Sequence, residues 1–321
     1  MGDEEEQKAA NIPIESSPLI VDVVGTARKF LDDIVLGIEA EGICNSMGVS
    51  SDKTFLLEGS PGTGKSLSIR ALNNDLNQEY YKKTVKHGLA TRSGRESERP
   101  NISEVGLLMF EYSVGRQGSK YINEGSRIMQ SLFDEANVYA RNGIKTCIAF
   151  DEVDAIDGSR TSNVQTHSED RKLLETLMKN LQAAHDTPNM YTVLMTNLKG
   201  ACDEASLRAG RIDRRYHFEL PDTDERRLGF VHTVDGLNRE AGYNVVRGVD
   251  YDELASLSKG FNYADIKQCV GSSVKQRAME VAKDRSNKII PAAYVTQKRV
   301  KEGLLKHKQE FHKSKKQGIG F

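Results

Sequence analysis

Residues Gly59-Ser60-Pro61-Gly62-Thr63-Gly64-Lys65-Ser66 match the pattern G-x4-G-K-[ST]. The apolar run Thr54-Phe55-Leu56-Leu57 precedes them, and a helical stretch begins at Leu67. Glycines let successive backbone N–H groups turn inward around phosphate oxygens, and the partial positive charge at the start of a helix favours an anion there. In this pattern the lysine, Lys65, reaches the terminal phosphates and the hydroxyl of Ser66 ligates a divalent metal. The loop therefore reads as a phosphate cradle for ATP with Mg2+.

Such a cradle needs an acidic partner for its metal. Cys147-Ile148-Ala149-Phe150-Asp151-Glu152 supplies one, an apolar strand ending in two carboxylates. Asp151 would hold Mg2+ through water, and Glu152 is placed to orient and deprotonate the water that attacks the terminal phosphate. A second buried-strand pattern, Tyr191 to Met195, ends in Thr196-Asn197. The Asn197 amide could hydrogen-bond the same water or the phosphate, although Thr-Asn at a strand end also serves as a turn starter. Leu207 to Arg215 then carries Arg208, Arg211, Arg214 and Arg215 around one acid, Asp213. Solvated cations or salt bridges are the plain account of that run. Arginine is also the residue type that stabilises charge developing on a transferring phosphoryl group, in cis or in trans.

The elements that must position these groups alternate. Short apolar runs at Thr54 to Leu57, Gly106 to Phe110, Lys145 to Phe150, Tyr191 to Met195 and Arg215 to Leu220 read as strands. Between them Ile128, Met129, Leu132, Phe133 and Ala136 recur at helical spacing, as do Leu173, Leu174, Leu177, Met178 and Leu181. Strands separated by helices imply βαβ units, hence an α/β fold with a mostly parallel sheet covered by helices on both faces, as in P-loop NTPases. After Pro221 the pattern turns to helices alone, over 223–239, 251–258, 263–283 and 293–312. The expected organisation is an acidic flexible tail over 1–19, an α/β nucleotide-binding domain over 20–220, a small all-helical lid over 221–310 and a flexible tail over 311–321. Residues 77–104, with little apolar periodicity, read as an insertion, either a solvated hairpin or disordered stretch or a partner- or substrate-contacting element. The basic C-terminal tail is either a docking peptide or a solubilising end.

Composition narrows the function classes. Lys plus Arg number 45 against 46 Asp plus Glu, so no global field marks a nucleic-acid or membrane binder. Four cysteines without C-x2-C spacing argue against a zinc site or a disulfide framework. No apolar run approaches a membrane span and the N-terminus is acidic and polar, which predicts a cytoplasmic or nuclear protein.

These residues together resemble those of AAA ATPases, specifically the clade with the second region of homology that includes valosin-containing-protein-like, katanin-like and ESCRT-disassembly ATPases. The resemblance covers about Asp22 to His307. Gly59 to Ser66 is similar to the family's Walker A, Ile148 to Glu152 to its Walker B, Asn197 to its sensor 1, and Asp203 to Arg214 to its second region of homology. It implies that Arg211 and Arg214 are paired arginine fingers reaching the nucleotide of a neighbouring subunit, in a homo-oligomeric ring that is expected to be a hexamer. Asp22-Val23-Val24-Gly25 resembles the segment beside the adenine, Arg227 to Thr233 the lid helix whose histidine, here His232, lies near it, and Gly260 to Ile266, with Ala264, the segment that in this clade lacks a sensor-2 arginine. Ser119 to Gly125 resembles the pore loop, with Lys120, Tyr121 and Ile122 as its polypeptide-gripping element, and Asp157 to His167 falls where a second pore loop lies. Val24, Asn123 and Tyr263 stand where the family has glycine.

The resemblance implies an ATP hydrolase that remodels, unfolds or disassembles a protein substrate through a ring pore. Residues 1–17 are too short for the cargo domain of such relatives, which leaves recognition to the pore, the insertion, a tail or an adaptor. The alternative is a DNA-metabolism ATPase of clamp-loader or initiator type. Those relatives usually carry a sensor-2 arginine and lack the Lys-Tyr-Ile element, the reverse of this chain, so nucleic acid is not the expected partner.

Overall fold

The computed structural model describes residues 23–86, 106–114, 124–156, 164–198, 212–283 and 294–316. They divide into two units at Phe218 and Glu219, with Gly62–Gly64 grouped with the second. Asp22, the Lys120 to Ile122 element, residues 157–163 of the Asp157 to His167 pore-loop segment, Arg211 and both chain ends lie outside the described residues.

The first unit is a five-stranded sheet of β1 (Thr54–Gly59), β2 (Leu108–Ser113), β3 (Thr146–Asp151), β4 (Met190–Thr196) and β5 (Arg214–Phe218), in the order β2-β3-β4-β1-β5. Each pairing is parallel. β1 and β4 are buried at every position, as central strands covered on both sides must be, whereas edge strand β5 buries only Tyr216 and Phe218. Side chains of one strand point to opposite faces: Phe55 and Leu57 join Phe30 and Leu31 of α1 (Gly25–Ser46) and Ile69 and Leu72 of α2 (Lys65–Lys86). Leu56 instead joins Met129 and Phe133 of α3 (Glu124–Arg141) and Leu177 and Leu181 of α4 (Val164–His185). Two helices on each face thus seal a parallel sheet.

Three boundaries differ from the sequence expectation. α2 does not end near Asn77 but continues to Lys86, so the expected insertion begins as helix, and 87–105 lie outside the described residues. The strand expected over Gly106 to Phe110 runs instead over Leu108–Ser113, its polar end Glu111-Tyr112-Ser113 having masked it. Gly106 and Leu107 are taken up by a tie to α2. The buried Asn77 side chain donates to Leu107 O (2.9 Å) and accepts from Leu107 N (3.1 Å), and a Cβ on Gly106 would stand 2.0 Å from Leu76 O. β5 starts and stops earlier than expected, leaving Glu219 and Leu220 outside it.

The second unit has helices α5 (Thr223–Ala241), α6 (Tyr251–Leu257), α7 (Tyr263–Lys283) and α8 (Gln297–Lys316). Asp222 and Glu225 form a capping box at the start of α5, and Gly242, at φ 73°, closes its end. The unit is not all helical, in correction of the expectation. β6 (Val246–Arg247) and β7 (Val295–Thr296) pair in parallel, and Val246 and Val295 are buried in the core with Phe230, Ile266 and Leu304. Two-residue strands carry too little periodicity to be read from sequence, and β7 displaces the start of α8 from 293 to Gln297.

Candidate active site

The order β3-β4-β1 brings three strand ends side by side. β1 runs into the Gly59 to Ser66 loop, the pairing of Glu58 with Thr196 sets Asn197 beside that loop, and β3 ends in Asp151-Glu152 one strand further on. Gly59 is compelled: a Cβ there would lie 2.2 Å from Phe218 O on the neighbouring β5. Gly62, at φ 77°, provides the left-handed turn inside the loop. Lys65, at the start of α2, is buried and folds back over the loop, donating to Gly59 O (2.6 Å) and Ser60 O (3.0 Å). Burial lowers its ammonium pKa, with the charges of Asp151 and Asp154 pulling the other way.

The Ser66 hydroxyl faces Asp151 Oδ2 at 3.4 Å, a long contact between two hard oxygen donors. That donor chemistry suits Mg2+. Glu152 has a left-handed backbone, φ 57°, rare for a side chain of its kind and concentrated at functional sites. Its N–H donates to Asp151 Oδ1 at 2.9 Å, and its own carboxylate stands 3.4 Å from the Ser113 hydroxyl at the end of β2. Asp154, buried in the 3-10 turn after β3, accepts from the Thr196 hydroxyl (3.1 Å) and from Asn197 N (3.3 Å), so it fixes the tip that carries Asn197. Ser113 escaped the sequence reading. The one signal for it was a polar residue ending the strand next to β3.

The remaining expected site residues lie on other elements. Val24 is the N-cap of α1 in extended conformation and Gly25 follows at φ 64°. His232 lies on α5 and Ala264 on α7, within the second unit. Arg214 opens β5, where it pairs with Asp33 Oδ2 (3.2 Å) and with Asp52.

A model of the ATPase family associated with various cellular activities (AAA) matches residues 55–220, just over half of the chain. The chain belongs to the AAA family. Its similar proteins include a 26S proteasome regulatory subunit 10B of Dictyostelium discoideum, 32% identical over 225 residues that make up 69% of this chain and 47% of the relative. An ATP-dependent zinc metalloprotease FtsH 3 of Sphaerobacter thermophilus is 27% identical over 82% of this chain and 48% of its own length. A proteasome-activating nucleotidase of Methanosphaerula palustris is 28% identical over 76% and 51%. This AAA chain spans about half the length of the curated relatives it matches. Among the described residues, no helix is long and apolar enough to cross a membrane.

Proposed function

We propose that this AAA chain is a Mg2+-dependent ATP hydrolase that spends the cycle on remodelling a polypeptide. The observation that carries the hydrolytic half is the meeting of Lys65, Ser66, Asp151, Glu152 and Asn197 at three adjacent strand ends. Ser60 to Ser66 bind the phosphates, with Lys65 as the charge. Ser66 and Asp151 hold Mg2+, which supplies neutralisation of charge on the phosphate oxygens. Glu152 orients the attacking water and takes its proton, Ser113 restrains the Glu152 carboxylate, and Asn197 hydrogen-bonds the water or the phosphate. By the resemblance, Asp22, Val24, Gly25, His232 and Ala264 are the proposed adenine contacts.

By the resemblance, Arg211 and Arg214 would complete the site of a neighbouring copy. The register supports a role in trans: Arg214 pairs with Phe55, four positions before Gly59 on β1. At about 3.3 Å per residue that is roughly 13 Å, so Arg214 and its own loop stand at opposite ends of the sheet. A closed ring, hexameric by the resemblance, is the assembly that this reading proposes. Within the family we place the chain in the clade with the second region of homology, on Asp203 to Arg214, with a nucleotide-binding domain over 20–220, a lid over 221–310 and flexible ends.

Its relatives are named for proteasomes and for an ATP-dependent metalloprotease, which favours a protein substrate over DNA. Lys120, Tyr121 and Ile122 are the proposed grip, because an aromatic beside a cation and an aliphatic can hold an extended chain without reading its sequence. An adaptor would bring the substrate, in the cytoplasm or nucleus. The test is the amount of a tagged model protein unfolded per ATP hydrolysed. Tyr121→Ala should lower that ratio several-fold; an unchanged ratio refutes the pore role.

A further inference from the structure

β1 carries one ionisable side chain. Glu58, 3% exposed, stands directly before Gly59 in a strand that is buried at every position. A carboxylate hidden there costs stability unless it is paired, and among the described residues both of its charge partners sit on β5. His217, its partner in register, brings Nδ1 to 3.1 Å from Oε2. Arg215, two positions back on the same face, brings Nη1 to 3.7 Å from Oε1. Each carboxylate oxygen thus faces a different side chain of the edge strand. The imidazole serves in either charge state, since its neutral form still carries one N–H to donate. On the other side Thr196 of β4, also in register with Glu58, gives its hydroxyl to Asp154 instead.

The end of β5 matters to the loop. Gly59 and Phe218 are partners in register, and a Cβ on Gly59 would come within 2.2 Å of Phe218 O. Where the last residues of β5 lie therefore decides where the loop starts. Gly59 O in turn holds Lys65 Nζ at 2.6 Å. We infer that Glu58 is a positioning residue for nucleotide binding: with His217 and Arg215 it clamps the end of β5 to β1, and so fixes the base of the phosphate loop and the carbonyl that holds Lys65. This rests on the reading of Gly59 to Ser66 as a phosphate cradle. Glu58 acts through Phe218 and Gly59 and need not touch the phosphates.

The experiment measures binding of inorganic tripolyphosphate and of ATP, each with Mg2+, together with steady-state turnover and thermal melting of the full chain. Tripolyphosphate reports on the loop without the base. Glu58→Met fills similar space without charge, and replacing a buried ion by a well-packed apolar residue leaves a fold as stable or more so. It should melt no lower than the wild type yet bind both ligands about tenfold more weakly, because a loop that must be ordered on binding gives up affinity. KM for ATP should rise in step at nearly unchanged kcat, the mark of lost uniform binding. The pair Arg215→Ala/His217→Ala carries the test if Glu58→Met folds poorly. It should lose at least as much affinity, and adding Glu58→Met to it should bring no further loss. His217→Asn, which keeps an N–H donor near the place of Nδ1, should bind within about twofold of the wild type. A Glu58→Met chain that binds tripolyphosphate as tightly as the wild type makes the clamp a feature of the fold alone and overturns the inference. Tighter binding overturns it too, because the carboxylate then acts on the phosphates by its charge. If the wild type binds neither ligand, the phosphate-cradle reading itself falls.

Discussion

The two ends of the parallel sheet use polar residues in opposite ways. Where the strands finish, hydroxyls and carboxylates face one another at long range, Ser66 from Asp151 and Ser113 from Glu152 each at 3.4 Å. Where they begin, the contacts close. Buried Glu41 of α1 takes Lys53 Nζ at 2.8 Å, the Tyr191 hydroxyl at 2.5 Å and Asn189 N at 3.1 Å, while Lys53 also donates to Thr187 O at 2.9 Å. Short, mutually completed contacts are what a buried charge requires if it is to serve the fold. Loose ones leave capacity for a phosphate, a metal and a water. One end is the candidate site and the other an anchor, although both are rich in charge.

The contrast breaks if chemistry and stability cannot be separated. The largest expected effect is Glu152→Gln, which should cut steady-state ATP turnover about 10²- to 10⁴-fold while ATP still binds and the melting temperature barely moves. Radiolabelled phosphate release and a thermal scan decide it. Lys53→Met should do the reverse. It leaves Glu41 as an uncompensated buried charge, at a cost of about 3–5 kcal/mol in urea unfolding, with Asp151 and Glu152 untouched.

A pH series sharpens the anchor side. Burial on its own pushes the Glu41 carboxyl up, but the hydrogen bonds from Lys53, Tyr191 and Asn189 and the Lys53 charge outweigh it and hold the group below its ordinary value of 4.5. The folded state therefore binds fewer protons than the unfolded one in acid. The stability from Glu41 is fully present above the ordinary value and lost as pH falls through the lowered one. Unfolding free energy should decline below about pH 4.5, and in Glu41→Gln that decline should be shallower. The smallest effect tests the site side: Ser113→Ala removes one long hydrogen bond, about 0.5–1.5 kcal/mol, so turnover should fall by up to about tenfold at unchanged ATP affinity.

Sequence showed the site end far better than the anchor end, and the reason is physical. The loop at Gly59 to Ser66 and the acids after Phe150 are local patterns, legible because chemistry fixes their spacing. β1, β3 and β4 are apolar runs because both faces are covered. Glu41, Lys53 and Tyr191 meet across as many as 150 positions of chain, and nothing local marks them as partners. Ser113 hides in the same way. The run around Asp213 allowed both a salt-bridge reading and a phosphoryl one, and Arg214 has its described contacts with the first. The Val246 and Val295 pairing stayed invisible because each strand is two residues long.

The Asn77 amide clasped to both backbone groups of Leu107 has a consequence for the sheet. It closes a gap of 30 positions with a single side chain, so the sheet begins its second strand from a fixed point whatever the intervening length. Closure entropy grows only slowly with length, by about 0.6 kcal/mol per doubling. The register of β2 against β3 is thus kept at its entry by one asparagine.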